Sequence, residues 1–209
     1  MQFMMCDPAI RHFSNWTSTE TVACIAMLFI ALAAAAFLGA YCGKEFHGNR
    51  RKTIWVFVGI TAAVTLALIC FFGYAATAIR GIILCLALLF ASYSDIRTRE
   101  CGNVPFLLIA VAAFIGIELD AVPFMFLAAF TAFVLQFYGA WITKSTLNGA
   151  DLKMAVACCF MLGTVRGIAG LVIGMLVGIV VSLLKKRGMK EGFPLLPYLA
   201  VGFMTAYFI

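Results

Sequence analysis

An all-α polytopic membrane protein of about eight transmembrane helices is the fold class this sequence predicts. Three observations carry it. Hydrophobic residues make up 65% of the chain, where a soluble domain is nearer half. Only 11% of its residues are charged. The charges gather in short segments between apolar runs, several of them near the ~20 residues that cross a bilayer. With 209 residues, such spans leave no room for a soluble domain. The chain therefore reads as one membrane-embedded domain over 1–209, with a short non-cytoplasmic segment over 1–20.

The first span is expected from Thr21 to Cys42, a run without a charged residue. Asp7, Arg11 and Glu20 precede it, which differs from the positive start of a cleaved signal sequence, so the span is expected to be retained. From Ile54 to Ser94 the only charge is Arg80. That stretch fits two spans joined by a turn at Gly73 to Ala76, with Arg80 reaching to the nearby interface. Val104 to Thr143 is interrupted by Glu118, Asp120 and Pro123, which mark the turn between spans four and five. Span six is expected over Leu152 to Val165, or from an earlier start in the polar segment before it, span seven over Gly167 to Leu184, and span eight over Gly192 to Ile209.

Alternating the loops across the membrane sorts the basic residues. Lys44, Arg50, Arg51, Lys52, Arg97, Arg99, Lys144, Lys153, Lys185, Lys186, Arg187 and Lys190 fall on one side, against Arg11, Arg80 and Arg166 on the other. The richer side is the cytoplasmic one, so both termini are expected outside the cytoplasm. The net charge of +6 is thus a topology signal and no footprint for nucleic acid, which needs a basic soluble face. The 8 cysteines contain no Cys-x-x-Cys pair and lie mostly in apolar runs, which points to packing and away from metal or disulfides. His12 and His47 are isolated. No metal site and no cofactor is expected. On span seven, Gly170, Gly174 and Gly178 recur every four residues, a pattern that serves close packing within the chain or, as a second reading, a homodimer.

Among the 9 acidic residues, Asp95 and Asp151 stand at boundaries between an apolar helix and a polar segment, on the same face of the membrane. Two carboxylates brought together cannot both ionise cheaply, so one holds a proton while the other acts as a base towards water. The residues alone also allow an interfacial ion pair of Asp95 with Arg97, Arg99 or Lys153, and a helix cap at Asp151.

The neighbouring residues add a resemblance. The segment from Ser94 to Pro105, with Asp95, Arg97, Arg99, Asn103 and Pro105, resembles the Asp-x-Arg-x-Arg-x-Ile-Pro-Asn region of the type IV prepilin peptidases, a family of membrane aspartic proteases. Asn148-Gly149-Ala150-Asp151-Leu152-Lys153 resembles their Gly-x-Gly-Asp-x-Lys motif, with neither glycine of the pattern at its usual position. The stretch from Phe193 to Gly202, containing Pro194 and Pro197, is similar to their Ile-Pro-Phe-Gly-Pro-Phe-Leu-Ala segment.

The resemblance implies a catalytic pair, Asp95 and Asp151, supported by Gly149, Lys153, Arg97, Arg99, Asn103 and Pro105. Pro194 and Pro197 would border the substrate groove. It implies as substrate the leader peptide of a type IV prepilin or pseudopilin, cut at the cytoplasmic face of the inner or plasma membrane, in a pilus or protein-secretion system. Many members also methylate the new N-terminus through an inserted domain with two cysteine pairs. The loop after span one is only about ten residues long and has no such pair, so a peptidase without methyltransferase activity is expected. Position along the helices further suggests Asp151, at a helix start, as the base and Asp95, at a helix end, as the acid. Besides a noncatalytic membrane scaffold, which would tolerate loss of either aspartate, two other readings compete. One is a small ion-coupled transporter or channel with functional interfacial acids. The other is an intramembrane protease of the presenilin or signal-peptide-peptidase type.

Overall fold

The computed structural model describes residues 17–143, 149–184 and 194–209. Of these, 87% are helical and none is in a strand. The N-terminal residues 1–16, with Asp7, Arg11 and His12, lie outside the described residues. So do Lys144, Asn148, Lys185, Lys186, Arg187 and Lys190. The chain divides into two compact units, one of residues 1–86 with 115–117, the other of residues 87–114 with 118–209.

The first unit is built on a helical hairpin. Helix α1, Ser18–Glu45, begins at a capping box. Thr17 Oγ1 accepts from the Glu20 amide at 3.3 Å, and the Thr17 amide donates to Glu20 Oε2 at 3.1 Å, so two otherwise orphaned donors are satisfied. The helix runs past both ends of the expected apolar span, because polar residues at its ends can extend into the headgroups. A turn over 46–49 leads into α2, Arg50–Phe72, whose N-cap Asn49 accepts from the Lys52 amide at 3.3 Å. Ala31, Ala35, Gly39 and Gly43 form a buried small-residue stripe on α1. Thr53, Phe57, Thr61 and Thr65 form a buried stripe with the same spacing on α2. A methyl group added at Gly39 would stand 3.0 Å from the Ile54 Cα, and one at Gly43 would stand 2.8 Å from the Arg50 Cα. Small residues let the two backbones approach this closely in a setting where lipid gives no hydrophobic drive.

Helix α3, Ala76–Thr98, follows the break at Gly73, where the sequence places its turn. Its first half belongs to the first unit and its second half to the other. Arg80 is only 4% exposed. Lying just over one turn into α3, it is enclosed by the protein instead of reaching out to the interface as its sequence position suggested.

The second unit contains α4, Val104–Ala112, α5, Val122–Thr143, α6, Gly149–Leu162, α7, Thr164–Leu184, and α8, Leu196–Phe208. Helix α6 is its centre and packs against α4, α5, α7 and α8. Met154, Ala155 and every residue from Ala157 to Leu162 are buried, so α6 is apolar all round, as befits a core helix. Phe160 meets the rings of Phe114 and Phe126 edge-on, with centroids 5.6 and 5.2 Å apart. Gly163 separates α6 from α7 with φ +81°, a conformation costly for any residue with a Cβ.

The glycine stripe of α7 is filled within the chain. Gly167 faces Cys159 of α6, Gly170 faces Phe203 and Ala206 of α8, and Gly174 faces Leu199 of α8. From the other side, Gly202 of α8 lies against the Gly170 carbonyl and the Gly174 backbone. These contacts account for Gly170 and Gly174 as intramolecular packing residues.

Among the described residues five helices, α1, α2, α3, α5 and α7, are long and apolar enough to cross a membrane. The expected spans four, six and eight are present as helices, but α4, α6 and α8 have 9, 14 and 13 residues. At ~1.5 Å per residue they reach at most ~21 Å, short of a ~30 Å hydrocarbon core. Apolar composition predicted helices there. The turn at 113–116 ends α4, and Gly163 ends α6.

Candidate active site

Asp95 lies in the last turn of α3 and is 2% exposed. The backbone behind it is folded back by hydroxyl groups. Ser94 Oγ donates to the Glu100 carbonyl at 2.6 Å, and Thr98 Oγ1 lies 3.0 Å from the Ser94 carbonyl and 2.9 Å from that of Glu100. Arg99 donates its amide to the Asp95 carbonyl at 3.1 Å with φ +57°. A left-handed arginine is strained where glycine would not be. Its guanidinium stands within electrostatic reach of the Asp95 carboxylate. Arg97 turns elsewhere, its guanidinium 5.6 Å from the centre of the Tyr93 ring one turn back.

The Asp95 carboxylate reaches α8. Oδ2 accepts from the Leu196 amide at 3.3 Å in a buried setting. Leu195, the N-cap of α8, has no side chain able to cap, and Pro197 occupies the first turn. A carboxylate from a residue 101 positions away thus supplies what a local Ser, Thr, Asp or Asn would ordinarily give. Pro197 follows the residue that bonds Asp95, and Pro194 is half-buried just before the helix. Asp95 therefore lies between the C-terminal turn of α3 and the first amide of α8. The α8 amide favours an anion at Asp95 and so opposes the helix-end argument, which used only the end of α3.

Asp151 occupies the first turn of α6 and is half-buried. Gly149 opens that helix, and a methyl group added there would meet nothing within 4 Å. We therefore expect Gly149→Ala to leave thermal unfolding in detergent unchanged or to raise stability by up to ~1 kcal/mol. A marked loss of stability would contradict this. Lys153 reaches across to the loop after α3, where its Nζ donates to Asn103 Oδ1 at 2.7 Å. Asn103 is the N-cap of α4, and the buried Pro105 stands in that helix's first turn. Burial pushes the thiol of Cys101 up to about 11, with Asp95 adding to the rise and Lys153 opposing it, so this side chain senses both charges.

The residues singled out by sequence thus meet in two places. Asp95 joins the segment containing Pro194 and Pro197, and Lys153 joins Asn103. Arg97, Arg99, Pro105, Gly149 and Asp151 enter neither of these two hydrogen bonds. Sequence reasoning missed the Leu196 amide and Cys101. The signal for the first was present, since a helix entered through Leu195 and Pro197 needs a cap from elsewhere. His47, at the exposed α1–α2 turn, is remote from these groups in sequence. Among the described residues no group of three or more His, Cys, Asp or Glu side chains is placed to hold a metal ion.

These features belong to a helical, membrane-embedded protein with a buried aspartate tied to a distant helix start. Residues 82–183 match the type IV leader peptidase family, which supports a leader-peptidase-type protease. That stretch is just under half of the chain, and its match supports a type IV prepilin peptidase-like protein. The matched stretch includes Asp95, Arg97, Arg99, Asn103, Pro105, Gly149, Asp151 and Lys153, and stops short of α8. Comparison with curated proteins and with solved structures gave no match.

Proposed function

We propose that this protein is a membrane aspartic endopeptidase that removes leader peptides from type IV prepilin or pseudopilin-like substrates, with Asp95 and Asp151 as the catalytic pair. The observation that carries the reading is the family match over 82–183, which spans both aspartates. The burial of Asp95 against the start of α8 supports it, because a desolvated carboxyl held by a backbone amide is suited to proton transfer. In the reaction the ionised carboxylate of the pair takes a proton from water as that water attacks the scissile carbonyl. The protonated carboxyl hydrogen-bonds the carbonyl oxygen as negative charge develops there. Collapse of the tetrahedral intermediate returns a proton to the departing amine.

The distribution of basic residues supports an active site at the cytoplasmic face of the inner or plasma membrane. A leader followed by an apolar helix presents its junction at that level. Gly149, Arg97, Arg99, Asn103 and Pro105 support the pair in this reading, and Pro194 and Pro197 border the groove. The short loop between α1 and α2 favours a peptidase without N-methyltransferase activity. The test is incubation of membranes containing the protein with a prepilin-like substrate, followed by gel shift and mass measurement of the product N-terminus. One cut at the junction of leader and apolar helix is expected. Substrate left intact under conditions where a known leader peptidase cuts it would overturn the proposal.

A further inference from the structure

Asn103 occupies the N-cap position of α4, where an asparagine ordinarily accepts from its own helix. It makes no such bond, and its backbone is αR, with φ −77° and ψ −15°. Forgoing a cap costs about 1 kcal/mol. The side-chain oxygen is turned instead to Lys153 Nζ, 2.7 Å away and 50 positions along the chain. Lys153 gives up rotamer freedom for this contact although it is exposed and has water available. Two residues that each have a cheaper local alternative bond one another.

We infer that Lys153 is a positioning residue, held by Asn103 so that the first turn of α6, which carries Asp151, is fixed against the loop that follows Asp95. The inference rests on the aspartic-peptidase reading. Residues 151 and 153 are ~200° apart around the helix, so the bond anchors the turn from the side opposite Asp151. The acceptor is a neutral amide. An aspartate at 103 would pair with the lysine and neutralise it, whereas asparagine fixes the ammonium and leaves its charge intact. That charge is felt in the loop, since Cys101, two residues before Asn103, senses both Lys153 and Asp95. Asp95 binds α8 from the start of the loop region and Asn103 binds α6 from its end, so both anchoring contacts converge on 95–103.

The test uses the full-length protein in membranes and two readouts. The first is alkylation of Cys101, followed by peptide mass spectrometry at a pH below about 11. In that range the rate follows the thiolate fraction. Lys153→Met and Asn103→Ala should each slow alkylation about two-fold, because each takes the ammonium away from the loop. Lys153→Arg should retain much of the wild-type rate, and Asp95→Asn should speed it. The second readout is leader cleavage. Either single change should lower kcat about ten-fold with KM within about two-fold, and the double variant should be no worse than the singles. Alkylation unmoved by Asn103→Ala overturns the inference whether or not the wild type cleaves. Alkylation that shifts while kcat stays at the wild-type value overturns the positioning role. A wild type that cuts no leader, with alkylation still shifted in both variants, upholds the Lys153–Asn103 contact and rejects the peptidase reading.

Discussion

Asp95→Asn and Asp151→Asn are each expected to lower leader removal by at least about 10³-fold, roughly 4 kcal/mol of transition-state stabilisation, while the protein accumulates normally. Asparagine is the informative replacement at Asp95. Its amide oxygen can accept from the Leu196 amide as Oδ2 does, so the start of α8 stays capped, but the side chain can neither hold nor release the proton the reaction needs. Asp95→Ala removes both properties, and its additional stability loss should be about 1–3 kcal/mol because a buried amide is orphaned. The pair of variants separates two roles that the geometry superimposes. If Asp95 only caps α8, Asp95→Asn cleaves at the wild-type rate and Asp95→Ala alone is impaired. If it is catalytic, both are inactive and only the alanine variant unfolds early. Gel-shift cleavage beside thermal unfolding in detergent decides between them, and substantial activity in either asparagine variant would remove the dyad.

Gly202→Ala should be the most destabilising single methyl addition in the second unit, at about 3 kcal/mol, lowering the unfolding midpoint by roughly 10 °C. The new Cβ would collide with the Gly170 carbonyl and the Gly174 amide, and would stand 2.6 Å from the Gly174 Cα. All three are backbone atoms in the middle of α7, so no side-chain rotation relieves the clash and the two helices must separate. Gly202 is less than two turns from Leu196, whose amide holds Asp95, so the same shift should weaken leader cleavage. Gly59→Ala is the matching control. Its Cβ would meet nothing within 4 Å, and its melting should be unchanged or slightly raised. Equal melting of the two variants would show that α7 and α8 do not meet in close backbone contact at Gly202.

The long helices could be read from sequence because membrane spans announce themselves through unbroken apolar length. The boundary between α2 and α3 falls where Gly73 suggested, and α6 takes the earlier of its two expected starts, in the polar segment that carries Asp151. Length itself was less legible for α4, α6 and α8. An apolar run looks the same whether it faces lipid or lies in a protein core, and α6 lies in the core. Asp95 and Asp151 were visible as charges at the edges of apolar helices. What binds Asp95 was not, because a backbone amide has no letter of its own in a sequence. Asn103 also misled locally, since its place before Pro105 suits a helix cap and only the three-dimensional structure shows its oxygen engaged by Lys153. Arg99 carries a similar hidden cost in its left-handed backbone, which no composition rule reveals.

The hairpin of α1 and α2 bears on how the protein is made. Gly39 and Gly43 pack on Ile54 and Arg50, partners that follow them closely in the chain, so closing this pair costs little loop entropy. A chain that enters the bilayer during synthesis can complete that hairpin once Phe72 has emerged, before either aspartate of the candidate site exists. Asp95 then waits 101 residues for the amide of Leu196. The first pair of helices can therefore assemble early, whereas a nascent chain stalled before α8 would leave Asp95 without the amide that holds it.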